Sequence, residues 1–374
     1  MANGQIRWGI LGTGKIAGEF AQGLQRLPDA QLLAVGSRAK TTAERFAKRY
    51  QVPRVYSSYT DLVQDPDVEV IYVATPHVTH KEYCLLCLEA GKAVLCEKPF
   101  TVNAAEAAEV IALAREKELF CMEAMWMRFL PAVQEARRLV QANAIGDIQM
   151  IQASLGFLME YDPSHRAFNR DLGGGALLDL GVYPLSLIIQ HLGIPDSITS
   201  HAHLGETGVD EQAAVILGYA DGKLGILNTS LRTYNANDAL FMGSAGQIHL
   251  HAPLYRPEGL SVQKHTLVVG GGATQATDSA PTGGVTAKLR QIEPLRNLYR
   301  RAKPLLAPLL GLQERRLALP AAGNGYHYEA AEVMACLRRG ATESDIMPLD
   351  ETLRIMETMD TIRAQWQLRY PQEA

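Results

Sequence analysis

A glycine-rich turn that joins an apolar run to a helix-like stretch constrains this chain more than any other feature. Ile6–Leu11 has the composition of a buried strand, and Gly12-Thr13-Gly14-Lys15-Ile16-Ala17 follows it directly. That spacing between a strand and a helix is typical of a dinucleotide site, because Gly12 permits the tight turn and Gly14 lets a pyrophosphate approach the backbone at the helix N-terminus. The alternative is a glycine-rich turn without a ligand. The predicted cofactor-binding residues of the turn are Gly12, Thr13, Gly14, Lys15 and Ile16.

The end of the second strand-like run favours one cofactor over the other. A site for NAD would place Asp or Glu there to bind the ribose 2′-hydroxyl. This chain has Gly36-Ser37-Arg38 instead. A hydroxyl and a guanidinium form hydrogen bonds with a charged 2′-phosphate that are worth about 1.5–3 kcal/mol each, whereas a carboxylate would repel it. Ser37 and Arg38 therefore predict NADP as the cofactor, with NAD as the alternative.

Up to residue 124, short apolar runs alternate with stretches of helical periodicity. This order predicts a parallel sheet covered by helices. We therefore expect an α/β fold in which residues 1–124 form a Rossmann dinucleotide-binding domain. The predicted strands are Ile6–Leu11, Leu32–Val35, Val70–Ala74, Ala93–Cys96 and Phe120–Ala124.

From residue 125 the pattern is different. A helix is predicted from Pro131 to about Gln141, a long strand over Ile148–Leu158, and a hairpin at Asp221-Gly222. Residues 125–374 are thus expected to form a C-terminal substrate and oligomerisation domain of the α+β type, with a large, mainly antiparallel open sheet. A closing helix within residues 350–374 is a candidate for packing back on the N-terminal domain.

Charge and cysteine content exclude several classes of protein. The net charge is −4 and the pI about 6.2, which gives no attraction for nucleic acid. The first apolar run is too short for a signal peptide or a membrane span. The five cysteines are odd in number and scattered, and the Cys84/Cys87 pair lacks a second pair, so we expect neither disulfides nor a metal site. A cytoplasmic protein with a small-molecule substrate is the expectation.

One stretch of the C-terminal half fits no expected element. Residues 270–284 have the composition of a loop, and residues 285–318 mix leucines with arginines and lysines. This basic, Leu-rich insertion is either an amphipathic helix that touches a membrane or a partner, or a segment packed on its own domain or on a second subunit.

Two further groups of residues are candidates for catalysis. Lys98 follows the fourth predicted strand, at the carboxyl edge where open α/β sheets bind ligands. Asp179 and Tyr183 lie four residues apart on one face of an apolar helix. Oxidation of an alcohol needs a group that takes the hydroxyl proton, and a tyrosine needs a nearby cation to do so at neutral pH, which Lys98 could supply. Taken alone, Asp179 and Tyr183 could equally be helix-packing residues with satisfied hydrogen bonds.

Several motifs, in order, resemble the Gfo/Idh/MocA family of oxidoreductases. Glu123 to Pro131, together with a tyrosine rather than a histidine at position 183, resembles the branch that holds dimeric dihydrodiol dehydrogenases and NADP-dependent D-xylose 1-dehydrogenases. The segment from about 271 to 322 is longer than the hairpin usual for that branch. The motifs that carry the resemblance are Gly12–Ala17, Ala74–His80, Cys96-Glu97-Lys98-Pro99 and Gly173–Tyr183.

The resemblance implies an activity and roles for particular residues. Lys98 and Tyr183 would be the catalytic pair, Asp179 would lie in the substrate site, and the C-terminal sheet would form a homodimer or homotetramer. The expected function is NADP-dependent oxidation of a CH–OH group of a sugar or a cyclic trans-diol. The alternatives are a redox-neutral glycosidase that uses bound NAD and a dinucleotide-sensing regulator without catalysis. Further residues implied to line the cofactor or the cleft are Thr75, Pro76, His77, His80, Glu97, Lys98, Trp126 and Arg128.

Overall fold

The alternating apolar runs of the first third of the chain form a six-stranded parallel sheet. The computed structural model describes residues 4–265 and 314–373. The strand order is β3-β2-β1-β4-β5-β6. The chain thus adds strands first on one side of β1 and then, from β4, on the other, which confirms the predicted Rossmann fold. The strands are β1 (Ile6–Leu11), β2 (Ala30–Gly36), β3 (Arg54–Tyr56), β4 (Val70–Val73), β5 (Ala93–Glu97) and β6 (Cys121–Ala124).

Strand β3 was not expected from the sequence. It has only three residues, and none of its side chains is fully buried, so it carries no apolar period. It pairs with β2 at the edge of the sheet, where few contacts fix it.

Helices cover the two faces of this sheet. Helix α1 buries Phe20, whose ring stacks on Tyr72 of β4 with ring centroids 3.8 Å apart. Helix α4 buries Cys84 and Cys87 as free thiols in the core. The helices are α1 (Lys15–Leu24), α2 (Lys40–Tyr50), α3 (Tyr59–Val63), α4 (His80–Glu89) and α5 (Ala104–Glu116).

The second half forms an eight-stranded mixed sheet in the order β14-β13-β12-β11-β7-β10-β9-β8. The hairpin at Asp221-Gly222 joins β9 to β10 as expected. Among the strands of residues 4–265 and 314–373, only the central pair β7 and β10 is parallel, so the expectation of a mainly antiparallel sheet is confirmed. The strands are β7 (Ile148–Gly156), β8 (Ser197–Leu204), β9 (Asp210–Gly218), β10 (Leu224–Ser230), β11 (Ala239–Gly243), β12 (Gly246–Leu250), β13 (Gly259–Lys264) and β14 (Arg315–Ala318).

One face of this sheet is covered by helix and the other is open. A π-helical turn, Leu177–Gly181, runs into α7 (Val182–Leu192), which packs on β7 and β10. On the opposite face Ile216 is 48% exposed. Arg170–Leu192 is long and apolar enough to cross a membrane, but 89% of its most apolar window is buried inside the fold.

Three more helices follow in the second half of the chain, and two of them pack on the first half. They are α6 (Pro131–Gln141), α8 (Tyr326–Arg338) and α9 (Leu349–Gln365). Helix α8 packs on α1, and α9 contacts both α5 and α7. Asp360 of α9 accepts a hydrogen bond from the N–H of Ala104 at 2.8 Å. Because these helices contact both halves, the division at residue 124 stays a prediction.

The expected loop at 270–284 and most of the basic, Leu-rich insertion at 285–318 lie outside the described residues. The end of the insertion is described, and there Arg315–Ala318 pairs with β13 as the edge strand β14.

Arg128 lies in a buried network between α7 and α9. Its side chain is fully buried, and it donates to the Ser186 hydroxyl at 2.8 Å, the Ser186 carbonyl at 2.7 Å and Glu351 at 2.6 Å. Its remaining nitrogen donates to the Ile346 carbonyl at 3.2 Å. All three guanidinium nitrogens are therefore used within the protein, which indicates a structural role rather than the implied role in the cleft.

Arg128→Met should destabilise the protein without weakening cofactor binding. Loss of one partner of a buried ion pair typically costs about 3–5 kcal/mol, so the free energy of unfolding measured in urea should fall by about that amount. The control is Arg354→Met, because Arg354 pairs with Glu357 on the exposed face of α9 and should cost no more than about 1 kcal/mol. A tenfold loss of NADPH affinity at unchanged stability would contradict the structural role.

Candidate active site

The first two glycines of the Gly12–Ala17 motif have different environments. Gly12 has φ +105°, and a Cβ there would lie 2.6 Å from the Ala74 carbonyl. Gly14 begins α1, and a Cβ there would meet no atom within 4 Å. The backbone conformation and the close approach of Ala74 therefore require a glycine at position 12. Gly14, by contrast, leaves open space in front of the N–H groups of the first helical turn. Thr13, Lys15 and Ile16 are partly or fully exposed around this space.

At the end of β2, a hydroxyl pair lies beside an exposed arginine. Ser37 is buried, and its Oγ lies 2.6 Å from the Thr42 hydroxyl at the start of α2. Arg38 is exposed and lines a cavity of about 610 Å³ with Tyr59 and Tyr83. Thr42 was missed from the sequence because it lies one turn into the helix, five residues after Ser37. The guanidinium fits the demands of a phosphate group, and the two hydroxyls lie beside it, bonded to each other and, through Thr42, to the Ala39 carbonyl.

The fold brings Lys98, Asp179 and Tyr183 together, as the sequence predicted. Lys98 lies where β5 ends, and its Nζ donates to the Asp179 carbonyl at 2.7 Å and to Asp179 Oδ1 at 3.1 Å. The same Nζ lies 4.8 Å from the centre of the Tyr183 ring. The amine thus faces the ring and the carboxylate together, at the carboxyl edge of the first sheet.

Arg166 is a charged member of this cluster that the sequence did not reveal. Its guanidinium lies 3.1 Å from Asp179 Oδ1, and its side chain is 48% exposed. Burial acts to raise the pKa of Asp179, but Lys98 and Arg166 outweigh burial and hold that pKa well below its usual range. Asp179 is therefore a carboxylate held between two cations. Arg166 lies in a loop, where neither periodicity nor a motif marked it as a candidate site residue.

Tyr183 keeps its proton in this environment. Burial raises the pKa of Tyr183 to about 12, and the opposing effect of the nearby Lys98 charge is smaller. The Tyr183 Oη also accepts a hydrogen bond from Trp126 Nε1 at 2.9 Å. Lys98 lowers the pKa of Tyr183, as expected, but burial raises that pKa by more, so it lies above its usual value.

Trp126 continues the site as an aromatic wall. Its indole stacks on Tyr326, with ring centroids 4.7 Å apart, and lies 6.1 Å from the ring of Tyr255. Phe157 extends the wall beyond Tyr255 at 5.9 Å. A cluster of aromatic rings thus lies next to the Tyr183 hydroxyl.

Two of the implied cofactor or cleft residues support the edge of the sheet. The ring nitrogens of His80 each lie 2.9 Å from a backbone carbonyl, that of Pro99 and that of Thr75, and the single N–H of the neutral ring donates to one of them. Glu97 accepts a hydrogen bond from the buried Tyr72 hydroxyl and another from the Lys98 N–H at 3.1 Å. These contacts hold the backbone on either side of Lys98.

The remaining implied residues lie where β4 ends. Pro76 is exposed, Thr75 is partly exposed, and His77 is buried at the start of a short 3₁₀ turn. Burial lowers the pKa of His77 well below its usual value, so its ring is neutral, and its Nδ1 has no hydrogen-bond partner among the described residues. His77 is therefore a neutral imidazole, although the negative charge of Asp179 acts to raise its pKa.

Comparison with protein families covers both halves of the chain. Residues 6–125 match the model described as "Oxidoreductase family, NAD-binding Rossmann fold" under the name GFO_IDH_MocA. Residues 133–249 match the GFO/IDH/MocA C-terminal domain.

Similar proteins extend over nearly the full length. A trans-1,2-dihydrobenzene-1,2-diol dehydrogenase from Xenopus tropicalis is 34% identical over 369 residues, which covers 98% of this chain and 99% of the relative. The enzyme of the same name from Bos taurus is 35% identical over 372 residues with the same coverage.

Solved structures show the same fold at lower identity. KijD10, a 3-ketoreductase from Actinomadura kijaniata in complex with NADP and TDP-benzene, has a TM-score of 0.75 and 24% identity over 96% of this chain and 97% of that one. An aldose-aldose oxidoreductase from Caulobacter crescentus, complexed with glycerol, has a TM-score of 0.77 and 20% identity over 98% of each chain.

Gly14→Val should leave the fold intact and weaken dinucleotide binding at least tenfold. The new side chain enters open space that a pyrophosphate would need, so thermal unfolding should be unchanged while NADPH binds more weakly in a fluorescence titration. The comparison variant is Gly12→Ala, which must lower the melting temperature because its Cβ meets the Ala74 carbonyl. Wild-type affinity in Gly14→Val would place the dinucleotide elsewhere.

Proposed function

The chain belongs to the Gfo/Idh/MocA family of oxidoreductases, and on that basis we propose that it is an NADP-dependent dehydrogenase acting on the CH–OH group of a cyclic trans-diol or an aldose. The observation that carries the proposal is the Lys98, Asp179 and Tyr183 cluster at the carboxyl edge of a Rossmann sheet. The trans-dihydrodiol dehydrogenases that resemble the chain over 98% of its length support the substrate class.

The chain's own residues fit NADP. The open space at Gly14 and the N-terminus of α1 suit the pyrophosphate. Ser37, Thr42 and the exposed Arg38 present hydroxyls and a cation for a 2′-phosphate, and no carboxylate follows β2 to repel it. When bound, NADP accepts or gives the hydride, while the protein supplies orientation and proton transfer.

Tyr183 is the group proposed to move the proton. With a pKa of about 12 it holds its proton at neutral pH, so it is ready to protonate the forming alkoxide when a carbonyl is reduced. In the direction of oxidation it must first lose that proton, and Lys98 is the cation that favours the phenolate. Trp126, which donates to the Tyr183 Oη, fixes where the hydroxyl points.

Asp179 is the group proposed to orient the substrate. Its carboxylate stays charged at every physiological pH and can accept a hydrogen bond from the second hydroxyl of a diol. The aromatic wall of Trp126, Tyr255 and Tyr326 offers a face for the apolar side of a ring. Together they favour a cyclic substrate with neighbouring hydroxyls.

The alternatives receive less support from the site. A dinucleotide-sensing regulator has no need for a buried Lys98–Asp179 ion pair beside a buried tyrosine, because such a pair costs desolvation free energy.

The open face of the eight-stranded sheet, where Ile216 is exposed, is the surface we propose for a homo-oligomer.

Arg38→Ala should remove the preference for NADPH over NADH. Wild-type protein is expected to bind NADPH at least tenfold more tightly in a fluorescence titration, and the variant should lose about that factor for NADPH alone. Arg138→Ala, an exposed arginine on α6 paired with Glu135, is the matched control and should bind both dinucleotides like the wild type. Equal binding of NADH and NADPH by the wild type would reject the 2′-phosphate site and favour the glycosidase with bound NAD.

Lys98→Met should abolish turnover and spare NADPH binding. The methionine keeps the length and apolar stem of the lysine but removes the charge that favours the Tyr183 phenolate, so kcat with a cyclic trans-diol or D-xylose should fall at least a hundredfold. Lys117→Met, which removes an exposed pair with Glu89, serves as the control and should retain wild-type kcat. Activity in Lys98→Met within tenfold of wild type would exclude Lys98 from the chemistry.

A further inference from the structure

The turn Gly173-Gly174-Gly175 comes directly before the helix that carries Asp179 and Tyr183. Gly173 and Gly175 have φ angles of +70° and +123°, a backbone conformation that residues with a side chain rarely adopt. A Cβ on Gly174 would lie 2.7 Å from the Arg166 carbonyl and one on Gly173 would lie 3.5 Å from His77 Cβ. The backbone of this turn thus lies close to the segments that bear Arg166 and His77.

Asp210 holds the turn from the side of the second sheet. It is fully buried at the start of β9, and its Oδ2 accepts a hydrogen bond from the Leu177 N–H at 2.7 Å. Its Oδ1 lies against Gly175, where a Cβ would collide with it, and has no hydrogen-bond partner among the residues described. Burial raises the pKa of Asp210 to about 7. A buried carboxyl with so few partners is unfavourable to stability, so stability alone gives no reason for it.

Tyr370 holds the turn from the C-terminal end of the chain. Its side chain is buried, and its Oη donates to the Gly174 carbonyl at 2.6 Å. The Arg363 guanidinium lies 4.9 Å from the centre of its ring and pairs with Glu373 at 2.8 Å. The backbone N–H of Tyr370 also donates to Glu373 at 2.7 Å, so both the ring and the backbone of this residue are held.

The rest of this segment bonds to the loop just before the turn. The Arg369 carbonyl accepts from Arg170 Nε at 2.7 Å, and Gln372 donates to the Asp171 carbonyl at 3.0 Å. The segment from Arg369 to Gln372 therefore bonds both to the loop before the turn and to the turn itself.

A shift of the turn would move the atoms that hold the catalytic lysine. The Asp179 N–H bonds to the Gly175 carbonyl at 3.3 Å, and Lys98 Nζ bonds to the Asp179 carbonyl as well as to its carboxylate. The position of Lys98 therefore depends on the backbone at Asp179 and not only on its side chain. Misplacement of reacting groups by about 1 Å can cost up to a hundredfold in rate.

We propose that Asp210 and Tyr370 are positioning residues for the reaction: they fix the Gly173–Gly175 turn, and through it they place Asp179 where it can hold Lys98 and the substrate. Neither touches substrate or cofactor in this arrangement, and the inference rests on the proposed function of Lys98, Asp179 and Tyr183. It makes the C-terminal segment part of the catalytic apparatus.

The first test compares two tyrosines that bond to the two ends of the same helical segment. Tyr219 Oη donates to the Gly193 carbonyl at 3.2 Å, just after α7 ends, whereas Tyr370 donates to Gly174 before it begins. Tyr370→Phe and Tyr219→Phe each remove one hydroxyl from the full-length protein. Tyr370→Phe should lower kcat about tenfold with NADPH affinity unchanged, and Tyr219→Phe should keep kcat within twofold.

The second test uses Asp210 and rescue by a conservative change. Asp210→Ala removes the acceptor for the Leu177 N–H and should lower kcat about tenfold, whereas Asp210→Asn keeps an acceptor oxygen and should recover most of it. Gln212→Ala, an exposed residue on the same strand, is the control. Because Asp210→Ala is the harsher change, Tyr370→Phe and Asp210→Asn keep the test valid if it fails to fold.

Hydrogen exchange provides a readout that needs no substrate. Tyr370→Phe should speed amide exchange in residues 173–183 and leave exchange in the C-terminal half of α7 as in the wild type. Wild-type kcat and wild-type exchange in both Tyr370→Phe and Asp210→Ala would overturn the inference. Loss of activity in Lys98→Met together with wild-type activity in these variants would reject the positioning role alone, whereas full activity in Lys98→Met would reject the proposed function first.

Discussion

The buried ion pair between Lys98 and Asp179 is the interaction on which the rest of the site depends. Both side chains are withdrawn from water, which costs several kcal/mol for each charge unless geometry and further hydrogen bonds compensate. Here Asp179 has a second cation in Arg166, and Lys98 has a second acceptor in the Asp179 carbonyl. The pair thus keeps both groups charged in a place where a lone carboxylate or amine would be neutral.

The two partners of the pair come from different halves of the chain, and this explains much of the architecture. Lys98 lies at the end of β5, whose backbone is held by His80 and Glu97, and Asp179 lies on the helix that covers the second sheet. Arg128 ties that helix to α9. The cluster therefore exists only while the two halves keep their relative position, and the Gly173–Gly175 turn, bonded to Tyr370 and followed by the Leu177 N–H that Asp210 accepts from, comes directly before Asp179 in the chain.

Burial also decides what the proposed acid and base can do. The Tyr183 hydroxyl sits beside a cation and still has a pKa of about 12, because loss of hydration outweighs the charge of Lys98. His77, nearby, is kept neutral by the same effect. The site therefore holds one charged carboxylate, two cations and a protonated phenol, an arrangement suited to protonating an alkoxide and to binding neighbouring hydroxyls.

The sequence by itself determined the Rossmann sheet and the mainly antiparallel second sheet, since apolar periods and the glycine turn are local signals that survive without neighbours. The grouping of Lys98, Asp179 and Tyr183 came from the resemblance of their motifs to a known family, because from the residues alone Asp179 and Tyr183 could equally be packing residues. The sequence did not distinguish Arg128, which forms a buried network, from residues of the cleft, and it did not reveal Arg166, Thr42, Asp210 or Tyr370. The roles of these residues depend on contacts between distant segments, such as Tyr370 with Gly174 across 196 positions. Only the tertiary structure decides such contacts, because a side chain's partners and its burial follow from how the elements pack and not from the residues beside it in the chain.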